Sequence, residues 1–160
     1  MPKSHGPGKL VWASDEQGAI AAINGIKRAT GRNVDVAAGF SGQGYQDAPG
    51  AKSYLNQELR RDSIVGGGAT KDGVGQIGYD VASERGQRSL GVASSNALEY
   101  GPDGIYTGRN HQNFFIRDNL WGGIDSKTGK LSPTSNVLVS TADKYVAAGG
   151  GAVMADEARA

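Results

Sequence analysis

Residues 63–93 read SIVGGGATKDGVGQIGYDVASERGQRSLGVA, and this stretch decides the fold class. A short apolar run at residues 63–65 is followed by a glycine-rich loop at residues 66–75 and by a helical pattern that ends at Gly86. A second apolar run, over residues 89–93, completes a unit of strand, helix and strand. Such a unit needs a parallel pair of strands joined by a crossover, so the stretch predicts an α/β fold with a mostly parallel sheet.

Helical and strand patterns alternate on both sides of this unit. Upstream, Ser14 and Gln17 have the spacing of a capping box, and the basic pair Arg60-Arg61 suits the end of a helix that starts at Pro49. The apolar face of that helix is predicted to contain Ala51, Tyr54, Leu55 and Leu59. The other predicted elements are helices over 15–30, 109–120 and 136–142 and strands over 33–40 and 144–148.

The composition excludes several classes of function. With 17 Lys and Arg residues against 16 Asp and Glu residues, the chain lacks the basic field of a nucleic-acid binder or a membrane-surface protein. It has no cysteine, which excludes disulfides, thiolate metal sites and a cysteine nucleophile, and its two histidines cannot form a histidine-rich metal site. We therefore expect a small-molecule partner, with no nucleic acid and no membrane involved.

The length of 160 residues suits one domain, which we predict over residues 14–160. Residues 1–10 contain no apolar stretch of the kind found in a secretory signal. We therefore predict that residues 1–13 form a flexible N-terminal arm. No apolar run approaches the roughly 20 residues that span a bilayer. We expect a cytoplasmic protein.

Glycine is the informative residue, because the 26 glycines are clustered. Three clusters each follow a predicted strand, at residues 41–44, 66–75 and 149–151. In a parallel sheet the carboxyl ends of all strands face one edge, so these turns should converge on one crevice. Glycine lets a phosphate approach the backbone closely, and a helix N-terminus there favours an anion. The pattern predicts a site for a phosphate-bearing nucleotide.

Two segments resemble the SLOG superfamily, which includes the lonely-guy (LOG) phosphoribohydrolases that activate cytokinins and are often described as lysine decarboxylase-like. Residues 66–68, followed by residues 72–75 and 90–92, are similar to the first half of the family signature. Residues 142–151, followed by Glu157, are similar to its second half. The resemblance implies a Rossmann-like three-layer sandwich.

In that family the glycine loops hold the nucleotide phosphate, and a glutamate and an arginine serve hydrolysis of the N-glycosidic bond. The resemblance places the glutamate at Glu157, and Arg109 is the candidate arginine. Lys71 and Asp72 could contact phosphate and ribose, but they fit exposed turn residues equally well. No cofactor and no metal ion are expected. The residues predicted to bind the nucleotide are Ser41, Gly42, Gly67, Gly68, Lys71, Asp72, Gly73, Gly149, Gly150 and Gly151.

Departures from the family pattern leave the reaction open. Val153-Met154 replaces the family's Gly-Thr, and Ser135-Asn136 stands where the family has its arginine pair. The alternative to a hydrolase is therefore a non-enzymatic nucleotide-sensing or binding module. A third possibility is a structural domain whose turns hold no ligand.

The resemblance also bears on the sheet and the assembly. Family members continue through more helix and strand beyond the position of Ala160, which implies that the fold is incomplete at its C-terminal side or completed by neighbouring chains. The family commonly pairs through helices, so we expect a homodimer.

Overall fold

The computed structural model of the chain describes residues 9–12, 15–39, 48–69, 73–97, 104–119 and 125–148. The strands are β1 (Lys9–Trp12), β2 (Val34–Gly39), β3 (Ile64–Gly67), β4 (Ser89–Ser94), β5 (His111–Ile116) and β6 (Lys144–Ala148). The helices are α1 (Glu16–Thr30), α2 (Ala48–Glu58), α3 (Gly73–Arg85) and α4 (Pro133–Thr141). The strands form one sheet in the order β1-β5-β4-β3-β2-β6, in which neighbouring strands are parallel.

Helices cover both faces of the sheet. On one face, α1 and α4 pack over a core that includes Ile23, Val36, Phe114 and Val137. On the other face, α2 and α3 pack over a core that includes Leu55, Val65, Val81 and Val146. The predicted α/β class is confirmed, and the fold is a Rossmann-like three-layer sandwich.

The bounds of α1 follow from its capping residues. The carboxylate of Asp15 accepts a hydrogen bond from the Gly18 amide at 2.7 Å, and Asp15 is the N-cap. Gly31 ends the helix at φ 67°, a left-handed conformation that glycine adopts without steric cost. The predicted span is confirmed, but the cap is Asp15 and not Ser14 as the capping box implied.

The segment after α2 is tied to the sheet by an ion pair. Arg60 was expected at a helix end, but α2 stops at Glu58 and the Arg60 guanidinium binds the Asp35 carboxylate in β2. Asp35 is completely buried, and it also accepts a hydrogen bond from the Arg60 amide at 2.9 Å. Tyr54, expected on the apolar face of α2, is 44% exposed.

The prediction of a helix over residues 109–120 is wrong, because this segment contains strand β5. The two faces of β5 are both buried, so its sequence lacks the alternation of apolar and polar residues that marks a half-exposed strand. Phe114 and Ile116 lie in the core under α1 and α4. His111 and Asn113 lie on the opposite face, where they bond to each other.

The predicted N-terminal arm is in part a strand. Residues 9–12 form β1, which pairs with β5 at one edge of the sheet. These four residues therefore belong to the sheet. The described residues contain no helix that is both long enough and apolar enough to cross a membrane.

We expect Arg60→Ala to destabilise the fold more than Asp35→Asn. Without the guanidinium, the Asp35 carboxylate stays buried with an unpaired charge, so the free energy of unfolding should fall by about 3 kcal/mol. The asparagine removes that charge and still offers an acceptor to the Arg60 amide, so its cost should be about 1 kcal/mol. Urea denaturation of both variants measures the difference, and a larger loss for Asp35→Asn would contradict this account.

Candidate functional site

Three neighbouring strands carry the glycine clusters. The sheet places β3, β2 and β6 side by side, and their carboxyl ends lie at one edge, which we name the carboxyl edge. Residues 41–44, 66–75 and 149–151 follow these three strands in the sequence. Adjacent strands lie about 4.8 Å apart, and β3 ends two residues before the level at which β2 and β6 end, so the three strand ends fall within about 12 Å of one another.

The structure divides the first glycines after residue 65 between strand and loop. Gly66 and Gly67, expected in the loop, belong to β3 and are buried. A Cβ on Gly66 would lie 3.2 Å from Val34, and a Cβ on Gly67 would lie 3.1 Å from the Tyr79 hydroxyl. These two glycines therefore serve close packing on both faces of the sheet.

Gly68 is the first residue beyond β3, and it is exposed. A Cβ built on Gly68 meets no atom of the described residues within 4 Å, so open space adjoins Gly68 in this part of the structure. Its neighbour Ala69 is buried and has a left-handed backbone at φ 66°. The predicted binding residue Gly68 is thus placed where a ligand could approach the backbone.

Helix α3 begins at the same edge, and Gly73 is its first residue. The helix lies close to the sheet, since a Cβ on Gly78 would stand only 2.8 Å from the Ala37 Cβ in β2. The first turn of α3 contains no acidic side chain. A helix N-terminus of this kind carries partial positive charge from its unpaired amides.

The other two described helices whose N-terminal caps are defined already have a carboxylate there. Asp15 accepts the Gly18 amide at the start of α1. At the start of α4, the buried carboxylate of Asp118 accepts the Thr134 amide at 2.9 Å. These carboxylates make the starts of α1 and α4 poorly suited to an anion, whereas Asp72, which precedes α3, lies outside the described residues.

Gly78→Ala should lower the free energy of unfolding by about 1–3 kcal/mol, because the added methyl forces α3 away from Ala37. Gly68→Ala adds the same methyl into open space and should change stability by less than about 0.5 kcal/mol. Thermal denaturation of the two variants compares them. Equal melting temperatures would show that the close approach of α3 to β2 is not required.

Arg109 lies at the opposite edge of the sheet. It is exposed in the turn before β5, and the carbonyl of the next residue, Asn110, accepts a hydrogen bond from the Ser89 amide at the start of β4. Since β5 has six residues, its two ends are about 16 Å apart. The structure therefore does not bring Arg109 to the carboxyl edge.

Ser135 and Asn136, which stand where the SLOG superfamily has its arginine pair, have contacts of their own in α4. Ser135 is completely buried, and the Asn136 amide group donates a hydrogen bond to the Glu16 carboxylate at 2.7 Å. These contacts join α4 to α1. The remaining predicted site residues lie outside the described residues: Ser41, Gly42, Lys71, Asp72, Gly149, Gly150, Gly151 and Glu157.

A buried polar cluster, which the sequence did not indicate, lies over β4 and β5. The Ser89 hydroxyl lies 2.7 Å from His111 Nδ1, and His111 Nε2 lies 2.6 Å from Asn113 Oδ1. Asn113 Nδ2 donates to the Tyr106 carbonyl at 2.8 Å, which leaves its oxygen facing the histidine. The Asn113 oxygen requires a proton on His111 Nε2, and in a neutral ring Nδ1 then accepts the hydrogen bond of the Ser89 hydroxyl.

The surroundings of His111 support this neutral state. Burial lowers the pKa of His111 to about 4, and the hydrogen bond to Asn113 opposes this shift only in part. The rings of Tyr79 and Tyr106 pack edge-on against the imidazole at 4.6 and 4.7 Å between centroids. The three side chains Ser89, His111 and Asn113 are each at most 3% exposed, so the cluster is suited to fixing β4 against β5.

Stability should fall between pH 6.5 and pH 4 because of His111. The pKa of His111 is about 4 in the folded chain against 6.5 for an unperturbed histidine, so the unfolded chain binds more protons in this interval. The contribution of neutral His111 to the free energy of unfolding is complete above pH 6.5, and about 3 kcal/mol of that free energy should be lost as the pH falls to 4. Urea denaturation across this range should show a shallower pH dependence for His111→Gln, and an unchanged slope would contradict the assignment.

No group of three or more His, Cys, Asp or Glu side chains that could hold a metal ion occurs in the described ranges.

No protein-family model matches the chain, and no curated protein is significantly similar to it in sequence. The case for a function therefore depends on the carboxyl edge itself.

Proposed function

We propose that the chain binds a nucleoside 5′-phosphate or an ADP-ribosyl nucleotide at the carboxyl edge of β3, β2 and β6. The observation that carries the proposal is the adjacency of these three strands, each of which is followed by a glycine cluster. Glycine clusters scattered around the sheet would have offered no common site. Adjacent ones can direct several backbone amides toward one anion.

The size of the edge suits such a ligand. The three strand ends span about 12 Å, which accommodates a phosphate and the ribose attached to it. The open space beside Gly68 and the N-terminus of α3 lie at this edge, and both favour a phosphate that bonds to backbone amides. Open α/β sheets generally bind ligands outside the carboxyl ends of their strands.

The position of Arg109 favours binding without hydrolysis. A cationic side chain that assists cleavage of an N-glycosidic bond must stand near the ribose, and Arg109 is exposed at the opposite edge. Ser135 and Asn136, at the family's arginine position, lack a positive charge. A nucleotide-sensing module is therefore the form of the proposal that we favour, and hydrolysis with Glu157 as acid or base is the alternative.

Nucleotide binding should raise the melting temperature of the protein. AMP, CMP, ADP-ribose and NAD are each added to the protein in separate samples. A ligand at 100 times its Kd should raise the free energy of unfolding by about 2.7 kcal/mol, which raises the melting temperature by roughly 5–10 °C for a chain of this length. Chromatography of the same samples detects free base, which a sensor does not release. If none of the four raises the melting temperature at millimolar concentration, the proposal fails.

The Gly68→Val variant tests whether the nucleotide binds beside Gly68. Its side chain enters open space beside the proposed phosphate, so the fold should persist while the ligand-induced shift is reduced by more than half. Gly25→Val is the matched control, because Gly25 lies in α1, where the one described atom that an added Cβ would approach within 4 Å is the end of Arg28, at 4.0 Å. A full ligand shift in Gly68→Val would place the ligand elsewhere.

A further inference from the structure

The loop after β3 contains an uncommon backbone conformation at Ala69. Its φ of 66° is left-handed, a region in which a residue with a Cβ is destabilised relative to glycine. Such a conformation persists only where the surroundings hold it in place. Ala69 directly follows Gly68, the exposed residue at the proposed site.

Tyr79 supplies one of the contacts that hold this conformation. Its hydroxyl accepts a hydrogen bond from the Ala69 amide at 2.9 Å and donates one to the Leu90 carbonyl in β4 at 3.0 Å. The side chain starts in the second turn of α3 and is 1% exposed. A single hydroxyl thus joins α3, the loop and the next strand.

Ala69 is held on its other sides as well. Its carbonyl accepts a hydrogen bond from the Tyr106 amide at 3.0 Å. A Cβ on Gly91 would lie only 2.7 Å from the Ala69 Cβ. Because Gly91 has no side chain, Ala69 can pack directly against β4. The peptide that leaves Gly68 is therefore fixed at its C-terminal end, although Gly68 itself faces open space.

We propose that Tyr79 is a positioning residue for the phosphate site, and that its hydroxyl holds Ala69 so that the backbone of Gly68 is presented to the ligand. This inference rests on the proposed nucleotide site. Backbone groups fixed before binding lose less conformational freedom when the ligand arrives, which strengthens binding. Tyr79 would not itself contact the nucleotide.

The protonation state of Tyr79 fits this role. Burial raises the pKa of the phenol, and the hydrogen bond from Ala69 offsets that increase only in part. The neutral hydroxyl can donate to Leu90 and accept from Ala69 at the same time. Phenylalanine keeps the ring and loses both bonds.

The test compares Tyr79→Phe with Tyr106→Phe. The two rings stack at 4.7 Å between centroids. Within the described ranges the Tyr106 hydroxyl interacts with Ser83 and does not bond to Ala69, so its removal is a matched control. Calorimetry with AMP and ADP-ribose, at a temperature where both variants are folded, measures affinity. We expect Tyr79→Phe to weaken binding about tenfold and Tyr106→Phe to change it less than about twofold.

Amide hydrogen exchange at Ala69 provides a second readout, and it should become faster in Tyr79→Phe only. Adding Ala69→Gly to Tyr79→Phe should restore part of the affinity, because glycine adopts the left-handed conformation unaided. Faster exchange with unchanged affinity would overturn the inference and leave the nucleotide site standing. Equal losses in the two tyrosine variants, or a Tyr79→Phe chain that does not fold, would also overturn it. A wild-type chain that binds neither ligand would refute the nucleotide site itself.

Discussion

The close approach of α3 to the sheet is the constraint on which the rest of the structure depends. Gly78 lets the helix axis come near Ala37 in β2, and Gly67 leaves room for the Tyr79 hydroxyl above β3. A side chain at either glycine would lift the helix from the strands. The same proximity allows Tyr79 to reach both the loop and β4, so helix packing and loop geometry share one cause.

The sequence predicts the parallel unit well because its signals are local. Apolar runs of strand length, glycine after each run and Gly86 after the helix all concern adjacent residues, and the structure agrees with them at β3, α3 and β4. Prediction fails at β5, where the polar residues His111 and Asn113 face a buried cluster and satisfy each other. His111 also bonds to Ser89 in β4, and a contact between residues this far apart in the sequence leaves no local pattern from which to predict it.

The candidate site is predictable to the level of strand ends. The glycine clusters indicate which strands border the site, and the sheet order makes those strands neighbours. The roles of single glycines are not predictable, since Gly67 packs against Tyr79 whereas Gly68, one position later, faces open space. The resemblance suggested Arg109 but could not show at which edge of the sheet Arg109 lies. That position follows from the fact that residues 111–116 form a strand, where a helix was predicted.

The central claim is that a nucleotide phosphate binds where β3, β2 and β6 end. The most direct measurement is a titration of isotope-labelled protein with ADP-ribose, followed by nuclear magnetic resonance of the backbone amides. The account predicts the largest chemical-shift changes at Gly68, Ala69 and the first residues of α3, with little change at the amides of Arg109 and Asn110. Changes confined to the amino ends of β4 and β5, or no changes at saturating nucleotide, would contradict it.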